Sequence, residues 1–349
     1  MRVGVIGCGW IAQTAHLPAY MENARSRLVA VCDKDETLLR RIGDEYRVKN
    51  RFSDHLELLE SGLVDAVSIC TPTATHSDIA VDAANSGVNI LCEKPLAANL
   101  LEADRIARAV RENKVKFMTA FNLRFLPNHV KTREYVESGR IGQPLLINGQ
   151  VIAPGPYRAG ANESDPASEA RKRLGAFFDI GSHLADVIMW IGGDPRDVYG
   201  NFMTNDQRFA VDDTATVLIR LKSGVLGTMI VGWADLPDYQ AMSDARIVQV
   251  IGTKGKIESE FSGPSLFYYG SQSITSRIRG RVRITPARLN PNVPDDGMRW
   301  SYRDEIDRFL ESLLENKEPP ISIEDGERAL KVVVSAYESA RLGRAVSLE

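Results

Sequence analysis

The chain has 349 residues, more than one hydrophobic core usually supports, so its length predicts two domains. Hydrophobic residues make up 44% and charged residues 26%, as in an ordinary globular protein, and the formal net charge of −3 gives no general attraction to nucleic acid or to an anionic membrane. No stretch approaches the roughly 20 apolar residues that cross a bilayer, and the N-terminus lacks the pattern of a secretory signal, so we expect neither nucleic-acid nor membrane partners.

The first third of the chain alternates short apolar runs with helical segments. The apolar runs have the length of buried strands and lie at residues 3–6, 28–31, 66–69, 88–91 and 115–120. The segments between them have helical patterns and lie at residues 36–46, 77–86 and 100–112. Strands that alternate with helices form βαβ units, so this region predicts a doubly wound parallel sheet of the α/β class. Ligands of such sheets bind at the carboxyl ends of the strands.

From about residue 144 the pattern changes to consecutive strands joined by short turns that contain glycine. The predicted elements are strands at residues 144–152, 214–221, 225–231 and 246–251, and helices at 179–190, 302–316 and 325–342. This order predicts an α+β domain on a mostly antiparallel sheet. Residues 153–174 are rich in glycine, proline and charge and have no clear period, so we expect a long loop that covers a site.

Four cysteines lie in the first third of the chain, at the ends of apolar runs: Cys8, Cys32, Cys70 and Cys92. None of them forms a CxxC pair, and no base is paired with any of them in the sequence, so we expect buried thiols and not nucleophiles. Free thiols are typical of a reducing compartment, which predicts a cytoplasmic protein.

A glycine-rich turn follows the first predicted strand. It has the form G-x-G-x-x-A, with Gly7, Gly9 and Ala12 as the small residues and Trp10 and Ile11 between them. The first glycine permits the tight turn, the second lets the backbone approach a pyrophosphate, and the small third residue lets the helix pack on the strand. The pattern predicts dinucleotide binding. A glycine turn of a doubly wound sheet that holds no nucleotide is the alternative.

The second predicted strand ends at Asp33, which lies 21 positions after Ala12, where an acidic residue hydrogen-bonds a ribose 2′-hydroxyl. A carboxylate at this position repels a 2′-phosphate, which favours NAD over NADP. Lys34 follows at once and could reach a phosphate, so NADP stays open as the second choice.

Further motifs make the likeness to a known family specific. They are residues 71–76 (TPTATH), 93–95 (EKP), 175–186 (GAFFDIGSHLAD), 301–305 (SYRDE) and 336–340 (AYESA). Together with the glycine-rich turn, and in this order and spacing, they resemble the glucose–fructose oxidoreductase / inositol dehydrogenase / MocA family along nearly the whole chain.

The resemblance implies a dinucleotide-binding Rossmann domain over residues 1–122. It also implies a substrate-binding and oligomerisation domain over residues 123–349, built on a large open sheet, with the C-terminal helix packed back on the first domain. Relatives of this kind commonly associate through that sheet, so we expect a homodimer or homotetramer. The implied substrate is a small molecule, a sugar, an inositol or a derivative of either, and the implied activity is hydride transfer between NAD and a secondary alcohol or ketone.

The predicted catalytic residues are Lys94, Asp179 and His183. Lys94 follows a strand at its carboxyl end, where a lysine can stabilise a developing alkoxide. Asp179 and His183 are four apart, which places both on one face of a helix, and an aspartate beside a histidine makes a general base. We expect His183 to accept the hydroxyl proton, although the family also permits Lys94 in that role. A capping aspartate and a core histidine are the alternative.

No cysteine or second histidine accompanies Asp179, His183 and Asp186, so we expect no metal site there. The resemblance places further residues beside the cofactor and others beside the substrate. The cofactor residues are Thr71, Pro72, His76, Glu93, Lys94 and Asn122. The substrate residues that the resemblance gives are Arg124, Asp179 and His183. Tyr157 and Arg158 are further substrate candidates because they lie on the expected loop.

Two other functions remain open from the sequence. A non-catalytic NAD-binding regulator would keep the fold, but it would not need Lys94, Asp179 and His183 together. An NAD-dependent glycoside hydrolase would use transient oxidation and would consume no net NAD.

Overall fold

A computed structural model describes residues 1–155, 174–206, 209–234, 246–260, 266–270, 280–284 and 297–348. The chain forms two compact units. The first unit consists of Met1–Phe121 and Tyr302–Leu330, and the second of Asn122–Ser301 and Lys331–Glu349. Residues 156–173, which include Tyr157, Arg158 and most of the expected covering loop, lie outside the described residues.

The first unit contains a parallel sheet. In the described part of the chain it has six strands, in the order β3-β2-β1-β4-β5-β6, and every neighbouring pair is parallel. The strands are β1 Arg2–Ile6, β2 Arg27–Cys32, β3 Asn50–Phe52, β4 Ala66–Ile69, β5 Asn89–Glu93 and β6 Phe117–Ala120. The order reverses direction at β1, as in a doubly wound sheet, and confirms the predicted α/β class. The sequence analysis missed β3, whose three residues, Asn, Arg and Phe, give no apolar run.

Five helices connect these strands: α1 Leu17–Glu22, α2 Glu36–Glu45, α3 His55–Glu60, α4 His76–Asn85 and α5 Leu100–Asn113. Short polar side chains start three of them. Asp35 accepts backbone N–H bonds at the start of α2, Asp54 at the start of α3 and Asn99 at the start of α5. Such caps satisfy amides that have no partner within the helix, so these starts are encoded locally.

The second unit contains a larger sheet of nine strands among the described residues, in the order β14-β13-β12-β11-β7-β10-β9-β8-β15. Strands β7 and β10 are parallel, and each other neighbouring pair that the structure describes is antiparallel. The strands are β7 Pro144–Ala153, β8 Pro195–Met203, β9 Thr214–Leu221, β10 Leu226–Trp233, β11 Arg246–Gly252, β12 Gly255–Glu260, β13 Leu266–Gly270, β14 Gly280–Ile284 and β15 Val346–Ser347. This architecture confirms the predicted α+β class.

Among the described residues, four more helices follow β6: α6 Pro127–Glu137, α7 Ser182–Gly192, α8 Gly297–Leu314 and α9 Ile323–Leu342. Helix α7 covers one face of the second sheet, where Leu184 closely approaches the backbone of Gly149 in β7. The single helix expected over residues 179–190 is wrong in one respect. A π-type turn, Phe177–Gly181, precedes α7, so Asp179 and His183 are not both in regular α-helix.

No helix among the described residues has both the length and the apolar character that a membrane crossing requires. All four cysteines are buried and free. Burial raises the pKa of Cys8 and Cys32 to about 12 and raises that of Cys70 and Cys92 well above the ordinary value. The thiols therefore stay protonated and fill space in the core, as the sequence predicted.

Candidate functional site

The turn after β1 has the backbone that close contact with a ligand requires. Gly7 has φ +91°, and a Cβ atom there would lie 2.7 Å from the carbonyl carbon of Cys70, so only glycine fits. No atom lies within 4 Å of the place where a Cβ of Gly9 would be, so its backbone can be approached closely. Ala12 is fully buried and starts a π-type turn, Ala12–His16, that runs into α1. Trp10 is exposed and Ile11 half-buried at this turn.

Asp33 lies directly after β2, and its carboxylate is held beside the same turn. Its Oδ2 accepts the backbone N–H of Cys8 at 2.7 Å, and its Oδ1 accepts that of Asp35 at 2.9 Å. Each oxygen keeps a lone pair for a further donor, because a carboxylate oxygen accepts two bonds. Lys34 beside it is exposed. These residues fit a dinucleotide whose ribose hydroxyls donate to a carboxylate.

The loop after β4 contains Thr71, Pro72 and His76. The Oγ1 of Thr75 donates to the Oγ1 of Thr71 at 2.8 Å, which orders the turn. The ring of His76 is 1% exposed, and its two nitrogens lie 2.9 Å from the carbonyl oxygens of Thr71 and Pro95. Burial lowers the pKa of His76. His76 thus joins the loop after β4 to the loop after β5.

Glu93 ends β5 and is buried, with Lys94 directly after it and a cis bond between Lys94 and Pro95. The Oε2 of Glu93 accepts the backbone N–H of Lys94 at 3.1 Å. Its Oε1 lies 3.0 Å from Nε2 of His16, a fully buried histidine. Glu93 therefore fixes the backbone of Lys94, and His16 fixes Glu93.

His16 belongs to a longer buried network that the sequence analysis missed. Its Nδ1 lies 3.1 Å from the Oγ of Ser68, which lies 2.6 Å from the hydroxyl of Tyr20. One signal was present in the sequence, because His16 is a polar residue between the apolar residues Ala15 and Leu17. The carboxyl ends of parallel strands share one edge, so the first unit brings Gly7, Asp33 and Lys94 to the same edge of its sheet.

The turn after β6, Asn122–Phe125, carries two predicted site residues of the second unit. Asn122 is buried, and its Nδ2 donates to the Oγ of Ser301 at 2.9 Å. Arg124 makes a two-pronged ion pair with Asp186 of α7, with Nε 2.9 Å from Oδ2 and Nη2 2.5 Å from Oδ1. Their side chains are 10% and 1% exposed. Two nitrogens of the predicted substrate residue Arg124 are therefore engaged inside the protein.

Asp179 lies in the π-type turn and His183 in the first turn of α7. Both are half-buried, whereas Ser182, Leu184 and Asp186 are buried. The two predicted catalytic residues of the second unit thus lie on the more accessible side of this segment. Asp186, the second acidic residue of the motif, is engaged with Arg124. No group of histidine, cysteine and acidic residues within the described ranges has the arrangement of a metal site.

Comparison with known proteins identifies the family of the chain. The model of an oxidoreductase family with an NAD-binding Rossmann fold, Gfo/Idh/MocA, matches residues 1–121, and the C-terminal domain of the same family matches residues 129–258. The chain belongs to the Gfo/Idh/MocA family. The resemblance predicted from the motifs is confirmed, and the protein is an NAD-binding oxidoreductase.

The chain is similar along its whole length to several dehydrogenases. It is 30% identical to the myo-inositol 2-dehydrogenase of Thermotoga maritima, over 100% of this chain and 99% of that protein. It is 28% identical to the inositol 2-dehydrogenase of Rhizobium meliloti, over 100% of this chain and 99% of that protein. The crystal structure of a probable dehydrogenase from Thermotoga maritima matches it with a TM-score of 0.80 at 28% identity, covering 100% of this chain and 99% of that one.

Proposed function

We propose that the protein transfers a hydride between NAD and a secondary alcohol or ketone of a sugar, an inositol or a derivative of these. The observation that carries the proposal is the edge of the first sheet, where the turn of Gly7 and Gly9, the carboxylate of Asp33 and the side chain of Lys94 follow strands that share one carboxyl end. The named relatives are inositol dehydrogenases, which supports the substrate class. We also propose that residues 1–122 hold NAD and that residues 123–349 hold the substrate.

Each proposed catalytic group has one task. NAD, when bound, would supply the hydride acceptor. His183 accepts the proton of the substrate hydroxyl, because imidazole is the side chain that ordinarily exchanges protons near neutral pH. The ammonium group of Lys94 stabilises the alkoxide as it forms. Asp179 orients His183. The family resemblance also allows Lys94 to transfer the proton itself.

The test is NADH formation measured by absorbance with a panel of inositols, aldoses and sugar acids. Removal of one group that stabilises developing charge lowers kcat by about 100-fold to 1,000-fold. We expect this loss for Lys94→Met and a comparable loss for His183→Asn, with NADH binding unchanged in His183→Asn. Lys49→Met, at an exposed position, is the matched control.

Three outcomes contradict the proposal. If Lys94→Met keeps the kcat of the unmodified protein, Lys94 has no catalytic role. If no member of the panel yields NADH while NADH binds, the protein is a regulator that holds the cofactor. If a glycoside is cleaved without net NADH formation, the protein is an NAD-dependent glycoside hydrolase.

We propose in addition that the protein forms a homodimer or homotetramer through the second sheet. Tyr199, Leu218 and Leu226 are large side chains on three adjacent strands and are 42%, 51% and 50% exposed. Leu218 is paired in register with Tyr199. Exposed apolar side chains on neighbouring strands are typical of an association surface. Leu218→Lys should reduce the mass measured by light scattering, and an unchanged mass would place the interface elsewhere.

A cytoplasmic location is the remaining proposal. Four thiols without disulfides support it, because such thiols are usual in a reducing compartment. Cell fractionation tests it, and recovery of the protein with extracellular material would contradict it.

A further inference from the structure

The segment that carries Asp179 and His183 begins at a contact with two distant residues to which no role has yet been assigned. Residue Tyr337 belongs to the AYESA motif of α9, and Asp212 lies just before β9. The hydroxyl of Tyr337 donates to Oδ1 of Asp212 at 2.7 Å. Burial raises the pKa of the Tyr337 hydroxyl, so it keeps its proton and remains a donor.

Asp212 satisfies the backbone at the beginning of the π-type turn. Its Oδ2 accepts the N–H of Phe177 at 2.9 Å, and its backbone carbonyl accepts the N–H of Ala176 at 2.9 Å. The first amides of a helical segment have no partner within the segment, so a carboxylate at this place acts as a cap. Here the cap comes from a residue 35 positions away in the chain.

Gly175 shows how closely this cap fits. Its φ is +86°, and a Cβ atom there would overlap Oδ1 of Asp212 and lie 3.1 Å from the hydroxyl of Tyr337. The carbonyl oxygen of Gly175 accepts the N–H of Asp179 at 3.2 Å. A continuous set of contacts therefore runs from Tyr337 through Asp212 to the backbone of Asp179.

The ring of Tyr337 is itself held in place. It stacks on Phe202 of β8 with ring centres 4.4 Å apart, and it meets the edge of Phe177 at 6.0 Å. The hydroxyl of Ser339 accepts the N–H of Gly200 in β8 at 3.2 Å. The motif of α9 thus fixes one side chain against the sheet and directs its hydroxyl to Asp212.

We infer that Asp212 and Tyr337 are positioning residues of the oxidoreductase site, which set the place of Asp179 and His183 by fixing the start of their segment. The inference rests on the proposed function, because Asp179 and His183 act in the proposed reaction. Neither Asp212 nor Tyr337 is assigned a contact with substrate or cofactor. Their effect passes through the backbone of residues 175–179.

The hydroxyl of Tyr337 is the part to remove. Tyr337→Phe keeps the stacked ring and deletes one donor to a buried carboxylate, so Oδ1 of Asp212 loses the hydroxyl that fixes it. Because a misplacement of about 1 Å can lower a rate about 100-fold, we expect kcat to fall between about tenfold and 100-fold. The Kd of NADH, bound by the first unit, should stay within about twofold. The matched control is Tyr268→Phe, which removes a hydroxyl bonded to the Arg140 carbonyl oxygen in the same unit.

Two substitutions of Asp212 distinguish positioning from a general loss of structure. In Asp212→Asn the amide can still accept from Phe177 and donate to the hydroxyl of Tyr337, so kcat should stay closer to that of the unmodified protein. Asp212→Ala removes both bonds and should lose at least as much activity as Tyr337→Phe. If the Asn and Ala variants lose the same activity, or if Tyr337→Phe keeps its kcat, the inference is wrong.

Hydrogen exchange keeps the test independent of the reaction. Exchange of the amides of residues 176–183 should be faster in Tyr337→Phe than in Tyr268→Phe. If no substrate is found in the panel, the proposed function fails, but this measurement still decides whether the cap exists. Unchanged protection of these amides would overturn the inference whatever the reaction proves to be.

Discussion

Two regions of the molecule are built in different ways. One is the edge of the first sheet that carries Gly7, Gly9 and Asp33, which we call the nucleotide edge, and the other is the segment around α7 in the second unit. At the nucleotide edge, Gly7 and Gly9 lie in one turn, and Asp33 is tied to that turn by a single hydrogen bond to Cys8. Around α7, the start of the segment is held by Asp212 and Tyr337, which lie far along the chain. The glycine turn thus depends on its own backbone geometry, whereas the start of the α7 segment depends on two side chains from distant elements.

The two regions also differ in the polar groups that they bury. The first unit buries a histidine beside a glutamate, His16 and Glu93, whereas the second buries an ion pair, Arg124 and Asp186. A buried ion pair loses more when one partner is removed, because the remaining charge stays in an apolar surrounding. The first two of the four predictions below test this difference, and the four run from the largest expected effect to the smallest.

Removing one member of the Arg124–Asp186 pair should have the largest effect. We expect Arg124→Met or Asp186→Leu to lower the free energy of unfolding by about 3–5 kcal/mol, because each leaves one buried charge without its partner. The double variant should lose much less than the sum of the two single variants. Urea denaturation measures all three, and simple additivity would show that the two side chains do not interact.

Substitution of His16 should have a smaller effect on stability. It should also lower kcat, because His16 holds Glu93 and Glu93 holds the backbone of Lys94. His16→Leu leaves Oε1 of Glu93 without the ring nitrogen, which we expect to lower the free energy of unfolding by about 2–3 kcal/mol. His16→Gln can donate to Glu93 and should recover most of the stability and of the kcat. Equal losses in the two variants would mean that packing, and not the bond to Glu93, accounts for the effect.

His129 makes the second unit sensitive to acid. Burial lowers the pKa of His129 to about 4, below the ordinary value of 6.5. The unfolded chain therefore binds a proton between these values when the folded chain does not, so stability falls as pH decreases through this range. Between pH 7 and pH 5 the loss from this residue is about 2 kcal/mol. Urea denaturation of His129→Gln should show a pH dependence weaker by this amount, and an unchanged dependence would contradict the assignment.

Replacement of the Asp33 carboxylate should have the smallest effect. Asp33→Asn keeps the shape but removes the charge, so we expect the Kd of NAD to rise about tenfold, which is about 1.4 kcal/mol. NADP should bind better than it does to the unmodified protein, because the repulsion of its phosphate is gone. Fluorescence titration with NADH and NADPH measures both, and a lower affinity for NADPH in the variant would contradict the role given to Asp33.

Much of the fold was predictable because its signals are periodic and local. The apolar runs that became β1, β4 and β6 are short and bounded by helical patterns, and they gave the parallel sheet. The apolar runs of β9 and β10, joined by a short turn that contains glycine, predicted part of the antiparallel sheet. The π-type turn was not predictable, since one additional residue in a helical segment leaves no mark in an apolar pattern.

The sequence proposed residues for the candidate site, but it did not predict their surroundings. The motifs named Lys94, Asp179 and His183 as a set, and their roles remain proposals. The sequence analysis did not predict the contact of His16, because its partner Glu93 lies 77 positions away and nothing in either local pattern connects the two residues. Arg124 was predicted to contact substrate, and the structure adds that it pairs with Asp186.

The sequence by itself determined that the chain contains a doubly wound nucleotide-binding region followed by a domain built on a sheet. It also predicted that the glycine turn and Asp33 suit NAD, because these features depend on neighbouring residues and on backbone geometry. Only the tertiary structure decided which polar side chains meet in the interior, such as His16 with Glu93 and Tyr337 with Asp212. Such pairs form when folding brings distant elements together, and burial then favours the polar groups that find a partner.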